Sequence, residues 1–116
     1  MSLNGIVPVL VSPMNEDGSP DQDGYHKLLD HIYAHPVAGL WMLGSASEDF
    51  LMSLEHRVQI TKIVSEYLAG KSHLIVGCGC PGLEETHQFF DETGDMQIDA
   101  YHLLPNDRKM IPSMAY

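Results

Sequence analysis

The spacing of apolar positions changes several times along the chain, and each change marks an element. Residues 5–11 (Gly-Ile-Val-Pro-Val-Leu-Val) are apolar throughout, the pattern of a short buried strand. Pro8 sits awkwardly in it, because proline cannot donate to a ladder and belongs where its nitrogen meets an open position. Asn15-Glu16-Asp17-Gly18-Ser19-Pro20 is dense turn chemistry. Asp21 then stands as a helix N-cap, with Tyr25, Leu28, Leu29, Ile32 and Tyr33 at helical spacing behind it. That helix has to end before Pro36, since the residue preceding a proline avoids the α region.

Residues 39–43 (Gly-Leu-Trp-Met-Leu) are a second apolar run, closed by Gly44. Ser53 caps a second helix, Glu55 favours its dipole, and Leu54, Val58, Ile60, Ile63, Val64, Tyr67 and Leu68 form its buried face up to Gly70. A third strand is expected at residues 73–77. A third helix follows from about 82 to 93, ending at Gly94, on a weaker stripe of Leu83, Phe89 and Phe90. Residues 100–104 read as a fourth strand, and a fourth helix begins near Ser113. The order β-α-β-α-β-α-β, with helix-length connections, predicts parallel strands joined by right-handed crossovers. It fits either an open doubly wound sheet or the first part of a (β/α)8 barrel. No complete dinucleotide or P-loop glycine motif follows any strand; Gly77-Cys78-Gly79-Cys80 has only the first two glycines.

Composition narrows the function classes. Six Lys and Arg against sixteen Asp and Glu give a net charge of −10, which repels phosphate backbones and argues against a nucleic-acid partner. No apolar run approaches the ~20 residues of a membrane span. Cys78 and Cys80 are too close in sequence for disulfide geometry and too few for a zinc site, so a reduced, cytoplasmic setting fits. His31 and His35 have the spacing of two metal ligands on one helix face but lack a third, and histidines there suit the helix C-terminus. No metal and no cofactor is expected. Both cysteines read as small packing residues, and one of Tyr101 and His102 is expected to face the interior.

Several segments together carry a family resemblance. Gly5 through Ser12-Pro13-Met14 to Asp17-Gly18 and Asp21 is similar to an opening strand followed by a Thr-Pro-Phe…Asp-Gly…Asp loop. Gly39-Leu40-Trp41-Met42-Leu43-Gly44-Ser45-Ala46-Ser47-Glu48 resembles a strand ending in Gly-Thr-Thr-Gly-Glu or Gly-Ser-Thr-Gly-Glu, with Phe50, Ser53-Leu54-Glu55 and Arg57 fitting the helix after it. Ile75-Val76-Gly77-Cys78-Gly79 and Ile98-Asp99-Ala100 through Pro105 resemble the third and fourth strands. The family they resemble is the dihydrodipicolinate synthase/N-acetylneuraminate lyase family. The resemblance implies an α/β protein, a (β/α)8 TIM barrel of which this chain supplies roughly the first four strands and three helices.

It also implies class I aldolase chemistry, in which a lysine on the sixth strand forms a Schiff base with pyruvate or a related 2-oxo acid. No further cofactor is implied, and the expected partners are the small-molecule substrate and further copies of the chain in a homotetramer. Ser45 matches the residue that relays protons near the Schiff base. Ser45, Ala46 and Ser47 match the turn that holds the substrate carboxylate. Ala46 stands where a second threonine is usual, and Ser47 where a glycine is usual, which changes the turn or restores a hydroxyl. After the fourth strand the usual tyrosine is absent from Pro105-Asn106-Asp107-Arg108-Lys109-Met110. Lys27, Lys62, Lys71 and Lys109 all lie outside barrel-mouth strand positions, so the Schiff-base lysine is expected beyond Tyr116. A barrel of this kind needs about 250 residues, and the chain reads as the N-terminal portion of one such domain. A non-catalytic barrel binding a small acid, or a half-barrel working through dimerisation, are the competing readings.

Overall fold

The computed structural model describes residues 3–78 and 82–103. The helices begin and end where the caps place them. Asp21 Oδ1 accepts from the Gly24 N–H at 3.0 Å and starts α1 (Gln22–Tyr33). Ser53 Oγ accepts from the His56 N–H at 3.1 Å and starts α2 (Leu54–Leu68). At its end the first left-handed residue is Ala69 (φ 48°), with Gly70 (φ 74°) behind it, so an alanine, not the glycine, takes the position that costs a side chain roughly 1–2 kcal/mol. The third helix, α3 (Leu83–Thr93), is flanked by Gly82 and Gly94.

Three strands alternate with these helices: β1 (Gly39–Met42), β2 (His73–Gly77) and β3 (Ala100–His102). They pair in parallel in the order β1-β2-β3, with Gly39 opposite His73, Trp41 opposite Ile75, Ile75 opposite Ala100 and Gly77 opposite His102. The expected first strand is not a regular one. Residues 5–11 run beside β1 through a single parallel bridge between Val9 and Trp41. The Leu10 N–H donates to the Trp41 carbonyl at 2.9 Å, and the Trp41 N–H donates to the Pro8 carbonyl at 3.0 Å. The next rung would need an N–H from Pro8, which has none. The four-strand expectation is therefore corrected to three strands and an extended flanking segment. Leu104, Cys80 and the helix expected from Ser113 lie outside the described residues.

The register sorts the sheet into two faces. Leu40, Met42, Leu74 and Val76 are buried against Tyr25 and Leu29 of α1, Ile60 and Val64 of α2, and Phe89 of α3. Tyr101 lies on this same face, its ring edge-on to Phe89 and Phe90 and its hydroxyl 2.7 Å from Thr93 Oγ1. The opposite face, with Trp41, Ile75, Ala100 and His102, is only half-buried, and no described helix covers it. All three helices thus pack on one side, as a barrel wall requires.

Polar residues inside the packed layer explain why the α3 stripe looked weak in sequence. Thr86 and Thr93 are buried, and their hydroxyls donate back to the Gly82 and Phe89 carbonyls at 2.9 and 2.8 Å. With the hydroxyl satisfied in its own helix, each threonine presents a methyl to the core. Leu83, expected on the buried stripe, is 51% exposed.

Candidate active site

At the C-terminal end of β1 the backbone leaves the sheet abruptly. Leu43 is left-handed (φ 56°) yet buried, a strained combination for a side chain with a Cβ. The turn brings its carbonyl across Gly77 of β2: a Cβ at Gly77 would lie 2.0 Å from Leu43 O and 3.2 Å from Gly44 N. Glycine is therefore required at 77 by close approach of backbone to backbone. A 3₁₀ turn over Ser45–Ser47 follows, then Glu48 in a second left-handed conformation (φ 59°), then a 3₁₀ turn over Asp49–Leu51.

The three turn residues named in the sequence have different surroundings. Ser45 and Ala46 are exposed, and neither makes a hydrogen bond from its side chain or N–H to any described residue. Ser47 is buried at 1% exposure. Its hydroxyl donates to the Leu10 carbonyl, its N–H donates to the Gly44 carbonyl at 2.9 Å, and its own carbonyl accepts from Ser12 Oγ at 2.7 Å. The Ser47 hydroxyl therefore does not stand in for the one that Ala46 lacks; it fastens the turn to the segment before α1. Buried polar atoms take partners where they can reach them, and Leu10 O is the reachable one.

A residue quoted only for its fit to the helix pattern supports the turn from the other side. Arg57 is buried at 2% exposure, and its Nε and Nη2 donate to the Asp49 carbonyl at 3.1 and 3.0 Å. Thr61, also buried, donates to the Arg57 carbonyl at 2.7 Å. A charged residue between two apolar helix positions gives no sign of this in sequence, because Arg is normally placed on the solvent side.

Between the opening segment and the turn lies a cleft of about 320 Å³ lined by Val11, Ser12, Pro13, Ala46, Ser47 and Glu48. Behind it Tyr25 is fully buried; burial raises the pKa of its hydroxyl, and the neighbouring Ser12 side chain opposes that rise. Of the β3 pair, His102 faces the open side and Tyr101 the helices. Cys78 is buried and its N–H and thiol both donate to the His102 carbonyl, at 2.9 and 3.3 Å, the packing role expected of it. His31 and His35 meet edge to face with ring centroids 5.8 Å apart. No group of three metal-ligating side chains forms among the described residues, and no described helix is long and apolar enough to cross a membrane.

The sequence model of the dihydrodipicolinate synthetase family matches residues 2–105. The chain belongs to this family. Among curated relatives it is 31% identical over 98 residues to the N-acetylneuraminate lyase of Enterobacter sp. (strain 638), covering 84% of this chain and 33% of that protein. It is 29% identical over 116 residues to the 4-hydroxy-tetrahydrodipicolinate synthase of Polynucleobacter asymbioticus, covering 94% of this chain and 38% of the relative. Solved family structures agree. The N-acetylneuraminate lyase of Mycoplasma synoviae superposes with a TM-score of 0.78 at 28% identity, over 85% of this chain and 34% of that one. CdNal of Clostridium difficile, solved with mannosamine, gives 0.81 at 25%, over 89% and 36%. The chain thus spans about a third of the length of the family members it matches.

Proposed function

We propose that the complete protein is a Schiff-base-forming carbon–carbon lyase or aldolase acting on pyruvate or a related 2-oxo acid. The chain is then the opening part of a (β/α)8 barrel, and residues beyond Tyr116 supply the lysine. The observation that carries this reading is the family match over residues 2–105, together with the turn at the C-terminal end of β1, the end at which barrel enzymes place their sites. In this reading the Ser45 hydroxyl and the Ser45 and Ala46 amides hold the substrate carboxylate. These donors have no competing partner among the described residues, and hydrogen bonds from neutral donors to a carboxylate are charge-assisted. Ser45 is also the residue assigned to proton relay. Ser47 keeps the turn in place from behind, its own donors already committed. Homotetrameric assembly and a cytoplasmic location belong to the same proposal.

One observation favours a second reading. The turn offers one side-chain hydroxyl where the family pattern has two, because Ala46 has none and that of Ser47 is turned inward. A non-catalytic barrel that binds a small carboxylic acid would tolerate this loss. Borohydride reduction of the complete protein with pyruvate separates the two. A covalent adduct of the expected mass on a lysine supports the lyase. Binding without any adduct supports the non-catalytic barrel and ends the lyase reading.

A further inference from the structure

The open face of the sheet carries a polar pair that the carboxylate site does not use. In its upper half the residues are Trp41, Ile75, Gly77, Ala100 and His102. Of these, only His102 has a side chain that both donates and accepts hydrogen bonds. Its main chain is pinned, since its carbonyl takes both the N–H and the thiol of Cys78. Its imidazole makes no hydrogen bond to any described residue. The ring is braced by Trp41 instead, edge to face, with centroids 4.8 Å apart and planes at 78°. Trp41 Nε1 is closed off from solvent without an acceptor among the described residues, directly beneath the turn: a Cβ on Gly44 would lie 3.8 Å from it. Buried donors left unpaired are uncommon in native chains. Here the orphan connects the Ser45 turn to His102 through a single aromatic ring.

We propose that His102, braced by Trp41, is a substrate-contacting residue that hydrogen-bonds a hydroxyl on the carbon chain of a hydroxylated 2-oxo acid. The proposal rests on the reading above for the position of the carboxylate. A neutral imidazole offers one donor and one acceptor, which matches a hydroxyl; a carboxylate or keto oxygen would engage only the donor. The distance also fits. Parallel strands lie about 4.8 Å apart, so β3 is roughly 10 Å from β1. A hydroxylated carbon chain, hydrogen-bonded at each end at about 2.8 Å, crosses that gap, and pyruvate has no hydroxyl to offer His102. The Trp41 ring gives such a chain an apolar surface for its C–H groups.

The test uses the complete protein with two probes, pyruvate and 2-keto-3-deoxygluconate, a six-carbon hydroxylated 2-oxo acid. Calorimetry measures the affinity of each for wild type, His102→Phe and His102→Gln. Phenylalanine keeps a ring against Trp41 but loses both hydrogen-bonding atoms; glutamine keeps a donor and an acceptor. We expect His102→Phe to lower affinity for the six-carbon acid about tenfold while pyruvate changes less than twofold, and His102→Gln to recover most of the loss. The indole N–H resonance of Trp41, assigned by its disappearance in Trp41→Phe, should shift with the six-carbon acid and not with pyruvate. An equal loss for both probes would assign His102 a structural role and overturn the proposal. So would unchanged affinities, a resonance that ignores the longer acid, or wild type that binds neither probe. Failure of the carboxylate reading shows elsewhere, as a Ser45→Ala variant that binds pyruvate like wild type. Failure of the lyase reading shows only as a missing borohydride adduct.

Discussion

The two ends of the parallel sheet are built on opposite terms. At the N-terminal end the polar groups satisfy one another. Asp99 Oδ2 accepts from the Leu74 N–H at 2.8 Å, its N–H donates to the Leu74 carbonyl at 3.0 Å, and its Oδ1 lies 3.6 Å from His73 Nδ1. At the C-terminal end two side-chain-bearing residues, Leu43 and Glu48, are held left-handed, and the donors of Ser45 and Ala46 have no partner among the described residues. Strain and unspent donors persist only where the surroundings over-determine the backbone. Gly77, Ser47 and Arg57 supply that over-determination here. The paired end therefore serves stability, and the unpaired end is the place to look for chemistry.

The comparison is broken most forcibly at Gly77. Gly77→Ala drives a Cβ into the Leu43 carbonyl, backbone against backbone, and should cost about 3 kcal/mol, read as a drop in the denaturant midpoint. Gly82→Ala, with nothing within 4 Å of its added Cβ, is the control. A midpoint for Gly77→Ala like that of Gly82→Ala would show that the turn yields easily. Next in size is Ser45→Ala. It should weaken pyruvate binding and turnover tenfold to a hundredfold, the ~1.5–3 kcal/mol of one charge-assisted hydrogen bond, with an unchanged melting temperature. Binding equal to wild type would remove Ser45 from the site.

Asp99→Ala sharpens the contrast from the opposite end. It should cost about 1 kcal/mol of stability and leave pyruvate affinity within twofold; a loss of affinity would mean that the two ends are coupled. The smallest effect is expected on the outer surface between α1 and α2. The Tyr67 hydroxyl donates to Asp30 Oδ1 at 2.6 Å, and chiefly that carboxylate pushes the Tyr67 pKa up to about 12 from the usual 10.0. The proton is held more tightly in the folded chain than in the unfolded one. Its contribution is thus fully present below pH 10 and is lost as pH rises from about 10 to about 12. Tyr67→Phe should flatten the stability–pH curve in that window. An identical alkaline slope in the variant would assign the loss to Tyr25 and Tyr33, whose pKa values burial also raises.

How much of this was legible in sequence depends on the distance over which each feature is set. The helix starts at Asp21 and Ser53 were readable because a cap is a local bond, closed within three residues. The parallel order was readable because apolar runs and connection lengths leave few alternatives. Pro8 gave a correct warning, and its missing N–H is what reduces the first strand to one bridge. The fates of Ser45 and Ser47 were not readable, since neighbouring serines look alike until Leu10, distant in sequence, presents its carbonyl to one of them. Arg57, Thr61, Thr86 and Thr93 were missed for a related reason. A polar residue enters a core once a carbonyl is in reach, and local spacing does not reveal which carbonyl will be.

The contact between Leu43 and Gly77 also limits how such a turn can diversify. Because the carbonyl occupies the volume of a side chain on β2, the loop has no graded set of nearby positions. It either keeps its place over a glycine or has to be rebuilt. In the proposed site, exchanging the side chains at 45 and 46 changes what the turn offers a ligand and leaves the Leu43–Gly77 backbone contact as it is.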